Sequence, residues 1–244
     1  MAPLLEVHNL TKAFGGLYAV RGVSFSVNRG EVLSIIGPNG AGKTTVFNLI
    51  SGFYSPTEGE IRFKGEVINR LKPHQRALRG LGRTFQIVKP FPGLSILENV
   101  MVGAFARTNS VDEARKEAMR ILEFVGLEGR AHLLASTLTL AGRKRLEVAR
   151  ALATKPDLIL LDEVSAGLNP TEVEEMIRLL RQLADMGIGS VAGVEHVMQV
   201  VMTISDRVVV LNHGELIAAG TPHEVVNNPA VIEAYLGGEV AHHA

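Results

Sequence analysis

Gly37-Pro38-Asn39-Gly40-Ala41-Gly42-Lys43-Thr44 decides the fold of this 244-residue chain. The octet follows an apolar run over residues 32–36 and opens a helical pattern over residues 42–50, with Gly52 just past its end. The spacing is G-x4-G-K-[ST], with Thr45 next, and it lies where a phosphate-binding turn belongs, between strand and helix. Glycines at these places let backbone N–H groups surround phosphate oxygens. The helix N-terminus adds a partial positive charge. Lys43 is placed to neutralise β- and γ-phosphates, and the Thr44 hydroxyl to ligate Mg²⁺. Asn39, Gly40, Ala41, Gly42 and Thr45 complete the cradle. Alone, the motif marks a nucleotide binder without separating kinase, GTPase, helicase or transporter.

A second stretch narrows the choice. Leu158-Ile159-Leu160-Leu161-Asp162-Glu163 is an unbroken apolar run ending in two carboxylates. Such a run suits a parallel strand covered on both faces, and its C-terminal end is where ligands meet an α/β sheet. Asp162 can approach Mg²⁺ there, and Glu163 can polarise an attacking water as general base. The paired acids favour hydrolysis by water over transfer to a substrate hydroxyl.

Strands are expected over residues 5–10, 23–27, 32–36, 59–65, 190–194, 207–211 and 215–219, and helical periodicity fills residues 91–153. Within 111–125, Ala114, Ala118, Ile121, Leu122 and Val125 share one face. Asn169-Pro170-Thr171-Glu172 carries an N-cap, a proline at the first helical position and a glutamate at the third. Alternating strands and helices predict an α/β fold with a mostly parallel sheet.

Composition bounds the rest. Lys plus Arg number 25, as do Asp plus Glu, so no basic excess supports a grip on nucleic acid. Cysteine is absent, which removes disulfides and thiolate metal sites. No apolar run approaches a bilayer span. A soluble, cytoplasmic protein is expected, with any membrane role arising by docking.

With these motifs in place the chain resembles the ABC-transporter ATPases over nearly its whole length. The resemblance implies a P-loop NTPase, RecA-like core formed by residues 1–86 and 155–244. It also implies an N-terminal antiparallel β part, and an inserted α-helical signature subdomain over residues 87–154. The cofactors implied are ATP and Mg²⁺. Two such subunits would sandwich two ATP molecules, each held by one subunit's phosphate loop and the other's signature. The segment matching that signature is Leu138-Thr139-Leu140-Ala141-Gly142, followed by Arg143-Lys144-Arg145-Leu146-Glu147-Val148-Ala149-Arg150. It departs from the usual Leu-Ser-Gly-Gly-Gln: Thr139 keeps a hydroxyl, Ala141 adds a Cβ, and Gly142 stands where Gln is usual. By the same resemblance, Gln86 matches the loop glutamine that touches Mg²⁺ or the attacking water. His196 matches the switch histidine, Phe14 the aromatic that stacks on adenine, and Val20 lines the same pocket. Asn169, Val164 and Val197 replace the commoner Asp, Pro and Asp.

Three segments are similar to the ATPases of branched-chain amino-acid importers: residues 84–100, 166–172 and 219–237. That subfamily implies a second ATPase subunit, identical or merely related, two transmembrane permease subunits, and an extracytoplasmic substrate-binding protein acting indirectly. It implies a peripheral place on the inner face of the cell membrane and no nucleic acid. Lipopolysaccharide-export ATPases share the ending, and urea or amide importers look alike. A soluble ABC ATPase acting on nucleic acid is a further alternative. The altered signature also raises the expectation of a catalytically weak regulatory subunit.

Overall fold

Leu5–Phe14 and Leu17–Val27 form β1 and β2, joined at Gly15-Gly16, whose positive φ angles of 53° and 89° reverse the chain. The computed structural model describes residues 2–84, 90–193 and 198–240. Both strands run well beyond the expected 5–10 and 23–27. The reason is local: the β1–β2 register shifts between Val7 and Leu10, Leu10 and Lys12, and Lys12 and Ala13. Each shift adds a residue and breaks the two-residue alternation that marks a strand. β4 (Glu58–Phe63) and the short β5 (Glu66–Val67) complete an antiparallel sheet ordered β2-β1-β4-β5.

β3 (Val32–Ile36), β6 (Leu81–Arg83), β7 (Leu158–Asp162), β8 (Gly189–Gly193), β9 (Arg207–Asn212) and β10 (Glu215–Gly220) form the second sheet. Its order among the described residues is β10-β9-β3-β8-β7-β6, parallel except for the β10 edge. The unbroken run of β7 is explained by packing on both faces. Leu158 and Leu160 face a core shared with β3 and the antiparallel sheet, while Ile159 and Leu161 face a second core built with helices.

Between the two sheets lies α1 (Lys43–Ser51), whose Val46, Phe47, Leu49 and Ile50 are fully or almost fully buried. Gly52 ends it at φ 84°. α2 (Pro73–Leu78) leads into β6. α3 (Ile96–Ala104), α4 (Val111–Phe124) and α5 (Leu140–Leu152) pack with α6 (Pro170–Asp185) on the outer face of β7. α4 buries Ala114, Ala118, Ile121 and Leu122, and Val125 follows them into the core. α6 starts with the anticipated box: Asn169 accepts from the Glu172 amide at 3.0 Å, and Glu172 accepts from the Asn169 amide at 3.0 Å. α7 (Met198–Ile204), α8 (Pro222–Val226) and α9 (Pro229–Val240) close the chain. Among the described residues no helix is long and apolar enough to cross a membrane.

Candidate nucleotide site

Two glycines of the loop after β3, Gly37 and Gly42, leave no room for a side chain. Gly37 has φ 149°, and a Cβ there would lie 2.0 Å from the Leu211 carbonyl oxygen. Gly42 caps α1 at φ 101°, with a Cβ position 2.5 Å from the Ala19 oxygen. The Ala41 amide donates to Pro38 O at 3.1 Å, and the Gly214 amide donates to Ala41 O at 3.1 Å, bracing the loop against the β9–β10 turn. The first turn of α1 holds no acidic residue, so its positive end is not neutralised locally. A cavity of about 300 Å³ opens here, lined by Ala19, Asn39, Gly40, Ala41, Gly42, Lys43, Thr44, Thr45 and Glu163.

Lys43 is 6% exposed, and its Nζ donates to Gly37 O at 2.6 Å and Pro38 O at 2.7 Å. Burial lowers its pKa, and the Glu163 charge partly restores it. An entering phosphate would exchange loop carbonyls for full negative charge, a stronger partner for the ammonium. These features fit a magnesium-bound nucleoside triphosphate.

At the end of β7, Asp162 is buried, and its carboxylate lies 3.6 Å from Arg83 Nη2. Burial raises the Asp162 pKa; Arg83 opposes that rise, and Glu163 adds to it. The Asp162 amide donates to Thr84 Oγ1 at 3.1 Å, and the Thr84 amide donates to Leu160 O at 2.8 Å. Thr84 thereby ties the end of β6 to the end of β7 beside the acidic pair. Glu163 leaves the strand at φ 49°, a left-handed conformation for a residue with a side chain. That conformation costs about 1–2 kcal/mol and is most often kept at working sites. The Lys144 ammonium donates to the Glu163 main-chain oxygen.

The signature segment caps and begins α5. Thr139 accepts from the Gly142 amide at 3.3 Å, so its hydroxyl closes the helix terminus in this state. Leu140 is exposed, whereas Ala141 and Gly142 are buried. A Cβ on Gly142 would lie 2.9 Å from Leu138 Cδ2, so the leucine side chain packs directly against this glycine.

At the adenine end, Val20 is fully buried behind the loop, and its neighbour Ala19 lines the cavity. Phe14 is exposed but outside the cavity lining, and it packs edge-on to Tyr54 at 5.3 Å. Gln86 and His196 lie outside the described residues. Ala19, Arg83 and Lys144 were not singled out in the sequence. None of the three carries a local signal of its place beside the site. Tyr235 of α9 is also near the loop: burial raises its phenol, and a hydrogen bond with the Gly37 backbone opposes that.

Beside the acidic pair is a cleft of about 330 Å³ between α2 and β6 on one side and α3 and α5 on the other. Phe53, His74, Arg83, Val102, Glu147 and Arg150 are among its walls. Arg150 lies 4.7 Å over the Phe91 ring.

The glycine cradle at the end of β3, with Lys43 and Glu163 lining one cavity, is the phosphate site of a P-loop nucleotide-binding protein. Residues 20–166 match the family model described as ABC transporter, and the chain belongs to that family of ATPases. The particular branch is marked at the other end, where residues 215–241 match the model described as branched-chain amino acid ATP-binding cassette transporter. The chain is 44% identical to the high-affinity branched-chain amino acid transport ATP-binding protein BraF of Pseudomonas aeruginosa, covering 96% of this chain and 98% of that protein. It is 42% identical to LivG of Escherichia coli, with the same shares covered. The lipopolysaccharide export system ATP-binding protein LptB of Haemophilus influenzae is 35% identical, covering 96% of this chain and 97% of its own. Among solved structures, the ADP conformation of the ABC-transporter cassette MJ1267 superposes with a TM-score of 0.88 at 32% identity, covering 97% of this chain and 100% of that one. A dimeric cassette, MJ0796 bound to ADP and Pi, gives 0.79 at 30% identity over 89% and 98%.

Proposed function

We propose that this chain is the ATP-hydrolysing subunit that drives import of branched-chain amino acids through separate membrane permeases. The match of residues 215–241 to the branched-chain model carries the reading. The relatives agree in order: 44% and 42% identity to BraF and LivG, against 35% to LptB.

In this reading the amides of residues 39–45 and the Lys43 ammonium hold the triphosphate. Thr44 Oγ1 and Asp162 would hold Mg²⁺, with Gln86 joining them. When bound, the ion supplies charge neutralisation at the phosphate oxygens. Glu163 accepts a proton from the attacking water, and Gln86 and His196 orient it. Phe14 stacks on the adenine by a turn of its ring away from Tyr54. Thr139, Leu140, Ala141 and Gly142 face the nucleotide of a second ATPase subunit. The cleft walled by Phe53, His74, Val102 and Arg150 receives a permease helix, because its apolar rings and aliphatic walls suit the apolar side of such a helix. This docking places the chain on the inner face of the membrane, with a substrate-binding protein acting from the other side.

The deciding experiment reconstitutes the chain with the permeases and binding protein of a branched-chain amino-acid importer. ATP hydrolysis and uptake stimulated by leucine, isoleucine or valine are expected. Stimulation by lipopolysaccharide alone, or by urea alone, would replace the substrate while leaving the cassette reading in place.

A further inference from the structure

Lys144 lies on α5, five residues after the N-cap Thr139, and is 6% exposed. Its ammonium reaches out of the helix to the main-chain oxygen of Glu163, the residue that combines a left-handed backbone with a side chain lining the cavity. A buried ammonium directed at a carbonyl is a costly way to satisfy that carbonyl, since a neutral donor would avoid most of the desolvation. What the charge adds is a strong, directional hold on one peptide orientation. That carbonyl belongs to the peptide joining Glu163 to Val164, so the bond fixes the chain direction immediately after the left-handed residue and with it the way the loop leaves Glu163.

The same helix has a second contact with the loop after β7. Leu140 Cδ2 packs so closely on Gly167 that a Cβ there would lie 2.9 Å away. Leu140 and Lys144 are one helical turn apart, about 6 Å along the axis, and they touch the loop on either side of Val164 and Ser165. The segment expected to face a partner's nucleotide is thus rigidly joined to the base expected to act in this subunit's own cavity.

We propose that Lys144 is a positioning residue: it holds Glu163 over the cavity and passes to it the engagement of the signature turn with the partner's nucleotide. This rests on the reading of Glu163 as general base and of Thr139 to Gly142 as the trans contact.

The test compares Lys144→Met, Lys144→Arg and Glu163→Gln in the assembly in which the unaltered protein hydrolyses ATP. Readouts are kcat, KM, the Hill coefficient for ATP, equilibrium MgATP affinity and thermal midpoint. For Lys144→Met, kcat should fall at least tenfold while KM and affinity stay within twofold, and the Hill coefficient should drop toward one. Lys144→Arg should restore kcat to within threefold. Two results overturn the proposal. One is kcat within twofold of the unaltered protein for Lys144→Met while Glu163→Gln is inactive. The other is a parallel loss of affinity, kcat and thermal midpoint, which marks a merely structural lysine. An active Glu163→Gln would instead remove the base reading on which the proposal rests.

Discussion

Arg83 Nη2 stands 3.6 Å from Asp162 Oδ2, while Nη1 of the same guanidinium donates to Asn48 Oδ1 at 2.8 Å and Ser51 Oγ at 2.6 Å. One buried cation therefore ties the end of β7, and with it the acidic pair, to the last turn of the helix that opens at Lys43. Breaking a buried pair by removing one partner costs about 3–5 kcal/mol, because the remaining charge stays desolvated. Arg83→Met should lower unfolding free energy by that order in urea titrations. Arg83→Lys should recover little of it, since a point charge cannot serve three acceptors in this fork geometry.

Arg76 stabilises the other side of α1. It is 1% exposed, and its guanidinium donates to the carbonyls of Leu49 at 2.6 Å, Ile50 at 2.7 Å, Leu71 at 2.9 Å and Asn69 at 3.1 Å. Leu49 and Ile50 belong to the last turn of α1, whose carbonyls lack helical partners. Burial pulls the guanidinium down to about 10, so it still carries its charge at neutral pH. Arg76→Met should cost roughly 2–4 kcal/mol through orphaned carbonyls, measured by chemical unfolding with and without ATP.

Asp157 gives a pH signature. Burial alone would raise its pKa, but hydrogen bonds from Lys64 and Arg29 more than offset that, and the carboxyl ends below its ordinary value. A lowered carboxyl contributes stability that is present above the unfolded value, about 3.9, and is lost as pH falls through the folded value. Asp157→Asn should therefore be less stable by roughly 1 kcal/mol near pH 7. The gap to the unaltered protein should close as pH falls below the folded value. A gap that stayed constant with pH would show that the charge contributes nothing.

Gly37 and Gly40 separate two reasons for a glycine in one loop. Both have positive φ, 149° and 80°, but a Cβ on Gly37 meets the Leu211 oxygen at 2.0 Å while one on Gly40 meets nothing within 4 Å. Gly40→Ala should cost only the backbone penalty, about 1–2 kcal/mol. Gly37→Ala should displace the β9–β10 turn as well, with a larger fall in thermal midpoint and loss of ATP binding.

The loop, the acidic pair and the helix caps were legible because each is encoded within a few consecutive residues. Gly37 to Thr44, Asp162-Glu163 and Asn169 to Glu172 carry their geometry locally. The N-terminal strands were read too short because the bulges near Asn9 and Lys12 break the alternation on which the reading depends. The three-residue strand β6 is too short for any periodicity, so the Arg83–Asp162 contact, 79 residues apart in the chain, had no local sign. In the sequence Lys144 is one cation in the run Arg143-Lys144-Arg145, and only tertiary packing turns it inward.

The central claim is that Lys43 and Glu163 enclose an ATP that this chain hydrolyses. Phosphate release from prebound, radiolabelled MgATP by the Glu163→Gln variant tests it most directly. Retained ATP affinity with release slowed by about a hundredfold or more, the scale of a lost general base, is the predicted result. Release at the unaltered rate from a fully bound complex would contradict it.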